Sequence, residues 1–227
     1  MAVAGFRQKP PIDGTVYGVA LNVRAHVASL DQAFHRAPYL APPKSPILFI
    51  KPRNTFLSHG GVVPLPPELE EVEASAALAL VFAQDTRAVS AEDALKAIAG
   101  CTLALDIAEP GGDYFRPPIR EKCRDGFLPI GPSIVAREEI GDLDEITVQL
   151  EIDGKAVASV RTGDGIVSVA KLIEEISSFM TFRAGDVLLA ALTPPGPRAR
   201  LGSRISATAR GLGRLECVLG REAGELP

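Results

Sequence analysis

The sequence predicts an α+β fold that is mostly β. Strand-length aliphatic runs recur along the chain, one segment alternates as a hairpin, and helical spacing stands out in only two places. The runs cover residues 16–21, 47–50, 78–82, 102–107, 187–192 and 204–209, each β-branched or aliphatic and bounded by turn formers. In ITVQLEIDGKAVASVRT, Ile146, Val148, Leu150 and Ile152 alternate with polar residues, and Asp153-Gly154 supplies the positive φ angles of a tight turn. That pattern predicts a hairpin with one wet face. Proline clusters at 38–46, 64–67, 117–118 and 194–197 mark irregular connections, because proline removes a donor and restricts the residue before it.

The first helix is expected in SAEDALKAIAG. Ser90 is its N-cap, Glu92 and Asp93 lie in the first turn where the helix dipole favours acids, and Gly100 is its stop. The second, SVAKLIEEISSFMTFRAGD, starts near Ser168, carries Leu172, Ile176 and Phe179 on one stripe, and ends by Gly185. No internal repeat is present. With 227 residues, 46% apolar and 23% charged, the chain can bury a substantial core. One domain over 15–227, preceded by an arm at 1–14, is the expected organisation.

The net charge is -4 and the basic residues are scattered, which removes the basic face a nucleic-acid binder needs. The longest near-apolar run, 74–83, is about half of the roughly 20 residues a membrane helix requires, so no membrane partner is expected. No secretory leader is read in the first residues. The three cysteines, Cys101, Cys123 and Cys217, are far apart and odd in number, so a reducing, cytoplasmic location is expected.

Candidate chemistry is thin when read from residue types alone. His26, in NVRAH after an apolar run, is a candidate base near neutral pH, though spacing alone favours an ordinary surface or loop histidine. The stretch REKCRDGFLPIGP, with Lys122, gathers cations that could hold carboxylates or an enolate oxygen, or could form a solvated loop. Lys51 and Arg53 follow a buried strand directly, where a loop can aim side chains at a pocket mouth. The acidic run ELEEVE reads as a solvated turn or edge rather than a cation site. No dinucleotide, phosphate-loop, nucleophile-elbow or zinc-helix motif occurs.

Taken in order, ALNVRAH, SPILFIKPRNTF, GGVVPLP, LALVFA, GCTLALDIA, EKCRDGFLPIGP and FRAGDVLLAALTPPGP resemble the landmarks of the fumarylacetoacetate hydrolase family over nearly the whole chain. Residues 33–56 and 113–126 are most similar to its isomerase/decarboxylase branch of aromatic (4-hydroxyphenylacetate) catabolism. The resemblance implies a layered, rolled mixed β-sheet domain, a dimer or larger assembly, and Mg²⁺ or another divalent ion chelating an oxo-acid. It also implies roles for individual residues. Asn22 and His26 match an Asn-Tyr-x-x-His motif with Val23 in place of Tyr, Lys51 matches a Lys-Pro motif, and Lys122 matches a pocket lysine. Asp106 falls on the third metal carboxylate, and Thr193 is what remains of a Thr-Gly-Thr-Pro loop.

The departures are as informative. The Glu-x-Glu pair that supplies two metal ligands in the family aligns with Ser75 and Ala77, and an acid that follows the histidine by three is Ser29. One carboxylate can hold Mg²⁺ only if water and substrate complete its octahedron, so tight metal binding is not expected. Three readings follow. The chain is a divergent 2-hydroxyhepta-2,4-diene-1,7-dioate isomerase or 5-oxopent-3-ene-1,2,5-tricarboxylate decarboxylase unit, with His26 and Lys122 catalytic and Asn22, Lys51 and Thr193 holding an unsaturated oxo-acid. Alternatively it is a non-catalytic subunit pairing with a metal-bearing homologue, or a metal-free oxo-acid binding module.

Overall fold

The structure, a computed structural model, describes residues 10–45 and 47–221. The expected arm at 1–14 therefore falls mostly outside the described residues. Its strands in chain order are β1 (Val16–Ala20), β2 (Ile47–Lys51), β3 (Phe56–Leu57), β4 (Val62–Leu65), β5 (Glu71–Phe82), β6 (Ile98–Ala108) and β7 (Leu128–Ala136). They continue as β8 (Thr147–Ile152), β9 (Lys155–Arg161), β10 (Val187–Leu192), β11 (Arg198–Arg200), β12 (Arg204–Ala209) and β13 (Gly213–Arg221). The helices are α1 (Arg24–Ser29), α2 (Asp31–Phe34), α3 (Ala91–Ala94), α4 (Ile119–Lys122) and α5 (Val169–Phe179). No helix among the described residues is long and apolar enough to cross a membrane.

Two mixed sheets form the layers. One runs β2-β1-β10-β5-β6-β7-β3 with β11 added on β5, and the other runs β4-β13-β12-β8-β9. The antiparallel pair β5 and β6 is central and buried on both faces, which is why these strands read as apolar runs rather than as alternation. Ala74, Ala76, Leu78, Leu80 and Phe82 of β5 belong to the large core shared with Val148, Leu150, Ile205, Ala207 and Leu215 of the second sheet. Ala77, Ala79 and Val81 point the other way, into a smaller cluster with Val16, Phe49, Ala104, Leu128 and Val187. Because side chains alternate along a strand, Glu73 and Ser75 continue that second face toward the start of β5. There the apolar filling gives out and a cavity opens.

Two helix expectations need correcting. Ser90 does cap, accepting from the Asp93 N–H at 3.3 Å, but the helix stops at Ala94 and gives way to a tight turn over Leu95–Ala97. Gly100 is not a helix stop. It lies inside β6, where a Cβ would come within 2.2 Å of the Val135 carbonyl oxygen. Pairing of residues 98–108 with β5 outweighs the weak helical spacing at the end of that segment. In α5 the buried stripe is Val169, Leu172, Ile173 and Ile176, while Phe179 is 64% exposed. The core position is taken instead by Phe182 from the following turn, stacked on Phe82 with ring centroids 4.1 Å apart. The hairpin stands as expected, with Asp153 at φ 51° and Gly154 at φ 77° joining β8 to β9.

Candidate active site

The cavity is walled by the ends of β1, β5, β6 and β10, by the β9 end with Arg161 and Thr162, and by the 109–118 loop leading into α4. His26, Asn22, Asp106, Lys122, Ser75 and Thr193 all line it. The strand ends gather them because β1 and β10 pair in parallel beside β5 and so finish at the same edge. Lys51 and Ala77 do not line it.

Asp106 is the electrostatic centre. It is buried, with Lys51 Nζ 2.7 Å from Oδ1 and Lys122 Nζ 2.5 Å from Oδ2. Burial alone pushes its carboxyl up, but Lys122 and Lys51 together hold it below the usual carboxylate range. The two lysines differ. Lys51 is 0% exposed, and its Nζ donates to the carbonyls of Ile107 (2.8 Å), Lys122 (2.7 Å) and Phe127 (3.0 Å). An ammonium has three protons for these four oxygens, so its 2.7 Å contact with Asp106 Oδ1 is carried chiefly by charge. Burial drives its pKa down to about 8 against the pull of Asp106. Lys51 thus ties β2 to β6 and α4, and its placement does not match the expected substrate contact.

Lys122 remains 21% exposed and faces the cavity. Its ammonium also lies 4.6 Å from the centroid of the Phe49 ring, a cation–π contact. That ring fits only because residue 18 is glycine, where a Cβ would come 2.1 Å from the Phe49 Cζ. Carboxylate below and aromatic ring beside it fix the one cation of this cluster that a ligand can reach.

Asn22 is held by the 165–167 segment, far from it in the chain. Its Oδ1 accepts from the Val167 N–H and its Nδ2 donates to the Val167 carbonyl, both at 2.9 Å. Thr193 ties β10 to β5, its Oγ1 accepting from the Ala76 N–H at 2.9 Å. His26 on α1 is half-buried, and desolvation lowers its pKa, keeping the ring neutral at pH 7. Ser29 Oγ donates to the His26 carbonyl at 2.6 Å, not to its ring. The ring partner is Tyr114, whose Oη lies 2.9 Å from His26 Nε2.

Sequence reasoning missed Tyr114 and Phe49, both at or against this cavity, and read Glu73 as part of a solvated acidic edge, with a register placing Glu71 and Glu73 as metal ligands as the disfavoured alternative. The first had a signal, a tyrosine in a Gly/Pro-rich loop whose neighbours carried the resemblance. Phe49 and the placing of Glu73 depend on which strand face turns inward. Of the acids on the wall, Glu109 is bonded by Arg124 Nε, and Glu73 has Arg198 at 3.9 Å.

The divalent ion that the resemblance implies does not fit the residues present. The residue paired opposite Asp106 in the β5–β6 register is Ser75, the next same-face position is Ala77 packed in the apolar cluster, and both Asp106 oxygens face ammonium groups. Among the described residues no three His, Cys, Asp or Glu side chains converge as ligands do. Elemental analysis of the purified chain is expected to find divalent metal well below one per chain. A stoichiometric, chelator-resistant metal would contradict this.

Comparison with known proteins follows the same lines. The fumarylacetoacetate (FAA) hydrolase C-terminal family model matches residues 15–219. The chain is 36% identical over 203 residues to the 4-hydroxyphenylacetate degradation bifunctional isomerase/decarboxylase of Escherichia coli, covering 89% of this chain and 46% of that protein. It thus spans about half the length of that relative. It is also 32% identical over 212 residues to an oxaloacetate tautomerase of Arabidopsis thaliana, covering 91% of this chain and 90% of the relative. Among solved structures, 5-carboxymethyl-2-hydroxymuconate delta-isomerase from Mycobacterium smegmatis superposes with a TM-score of 0.77 at 28% identity, covering 94% of this chain and 79% of the other. A maleylpyruvate hydrolase from Sphingobium, solved with manganese(II) and pyruvate, shares the fold at 21% identity and a TM-score of 0.76, covering 94% of this chain and 74% of the other.

Proposed function

The chain belongs to the fumarylacetoacetate hydrolase family, and on that premise we propose that it is an isomerase/decarboxylase-type unit of aromatic catabolism acting on unsaturated, carboxylated oxo-acids. The dienol 2-hydroxyhepta-2,4-diene-1,7-dioate and the tricarboxylate 5-oxopent-3-ene-1,2,5-tricarboxylate are the proposed substrates. The observation that carries this reading is one reachable ammonium, Lys122, in the same cavity as a neutral imidazole, His26.

Each reaction needs a cation where negative charge develops and a group that moves a proton. Lys122, fixed by Asp106 and Phe49, supplies the cation to a substrate carboxylate or to the enolate oxygen. A partly desolvated, charge-assisted contact of this kind is stronger than a neutral one. His26 accepts and returns the proton. The Thr193 hydroxyl, whose oxygen is already bonded to Ala76, has its own proton to offer a second carboxylate. Asn22 holds the 165–167 segment at the cavity wall, and Lys51 holds Asp106 in place.

Removing Lys122 leaves a substrate carboxylate unpaired. Lys122→Met is expected to weaken a dicarboxylate analogue by about 1.5–3 kcal/mol, tenfold or more, in a calorimetric titration. Unchanged affinity would remove Lys122 from the site. Because Lys122 is also one of the two counter-charges on buried Asp106, an unfolding curve of the variant is read beside the titration, with Lys51 left to hold the carboxylate.

Self-association belongs to the same reading. A homodimer, or assembly with a homologous subunit, is proposed, and light scattering of the chain alone at micromolar concentration should return at least twice the 24.0 kDa mass. A monomer would leave only the hetero-assembly.

A further inference from the structure

The proton step has an unfilled place. In a histidine that works as a base, a second group usually fixes the ring tautomer. Here the residue three after His26 is Ser29, whose hydroxyl is turned to the main chain. Among the described residues the group bonded to the ring is the Tyr114 hydroxyl, at 2.9 Å from Nε2, with the two rings edge to face at 6.2 Å.

Tyr114 is itself placed with care. It comes from the Gly/Pro-rich loop over the cavity, and its backbone N–H donates to Tyr39 Oη at 3.0 Å. The Tyr39 ring packs edge-on to Phe34 at 5.7 Å and to Phe115 at 6.2 Å, so the loop is anchored on α2. The phenol lies within electrostatic range of Glu73 and Asp106, the acids on the cavity's β5–β6 wall. Burial, with those acids and Tyr39, raises its pKa to about 12, so it keeps its proton at neutral pH.

We propose that Tyr114 is the residue that exchanges protons with the substrate, its hydroxyl relaying them to and from His26 Nε2. The inference rests on the isomerase reading above and deepens it. In the forward step the enol O–H bond of the dienol breaks and its electron pair stays on the oxygen, giving a dienolate whose oxygen faces Lys122. The released proton forms a new O–H bond at Tyr114 Oη. The former Oη–H bond breaks in the same event, and its proton bonds to Nε2, leaving Tyr114 neutral and His26 an imidazolium. Reversal of the relay delivers the proton to a carbon of the dienolate, giving the keto isomer. No proton or electron is gained or lost overall, and the 2.9 Å separation is within proton-transfer reach.

The relay fixes a tautomer. Nε2 must accept from the phenol, so the resting ring carries its proton on Nδ1. In the full chain, ¹⁵N spectra of the imidazole at neutral pH are expected to show the Nδ1–H tautomer, shifting on Tyr114→Phe. The Nε2–H tautomer would overturn the relay whether or not the wild type turns over. In kinetics with 2-hydroxyhepta-2,4-diene-1,7-dioate, Tyr114→Phe is expected to lower kcat by about 10²–10⁴-fold with KM and unfolding temperature unchanged, since the phenylalanine ring keeps the packing. Wild-type kcat in that variant, or a loss expressed only in KM, would sink the proposal. Failure of the wild type on every oxo-acid sinks the isomerase reading instead, and the spectra still decide the hydrogen bond's direction.

Discussion

Asp106→Asn is expected to destabilise the folded chain by about 3–5 kcal/mol, because it removes the carboxylate that, among the described residues, faces a fully buried ammonium. Lys51 is 0% exposed and cannot turn to water, and its remaining partners are three carbonyls. With the counter-charge gone, burial acts on Lys51 unopposed and it must give up its proton or open the β2–β6 seam. Urea unfolding at neutral pH checks the size. The pH dependence checks the cause. Asp106 has its pKa depressed in the fold, so its contribution is fully present above the unfolded carboxylate value of about 3.9 and is lost as pH falls through the folded value. The gap between wild type and variant should therefore close in acid. A gap of the same size there would mean that packing, not charge, holds the site.

His26→Asn is expected to cost as much in rate as Tyr114→Phe. Loss of a positioned base lowers such rates by about 10²–10⁴-fold, and affinity for a substrate analogue should stay intact because the charge that binds it is on Lys122. The fold should tolerate the change, as the ring is only half-buried on a six-residue helix. In the wild type, desolvation keeps the His26 pKa below its ordinary 6.5. A base acts when deprotonated, so kcat/KM should rise through an acid limb below pH 6.5 and be level at pH 7. A limb above 6.5 would mean another group titrates.

Much of this was legible in the chain. Strands β10 and β12 coincide with their predicted runs, because a short aliphatic or alternating segment bounded by turn formers marks a strand. The longer β5 and β6 were read short, since Glu71, Glu73 and Gly100 break the apolar pattern at their ends. At the site, His26, Lys122 and Asp106 were within reach of motif reasoning, and the structure brings them to one cavity. What spacing cannot show is depth and register. A lysine after a strand reads the same whether it ends at a pocket mouth or, like Lys51, beneath three carbonyls. Glu73 differs from Glu71 only in how far along β5 it sits, yet only Glu73 lines the cavity. Tyr114 meets His26 across 88 residues of chain, a contact that no local pattern encodes.

The claim that this chain carries chemistry of its own is tested most directly by giving the purified chain 2-hydroxyhepta-2,4-diene-1,7-dioate and following loss of the conjugated dienol absorbance. Turnover by the wild type, lowered about 10²–10⁴-fold in His26→Asn and weakened in affinity by Lys122→Met, is the predicted result. A saturable titration with no turnover would contradict it in favour of a binding module. No binding and no turnover alone, with increased activity of a metal-bearing homologue on mixing, would contradict it in favour of a structural subunit.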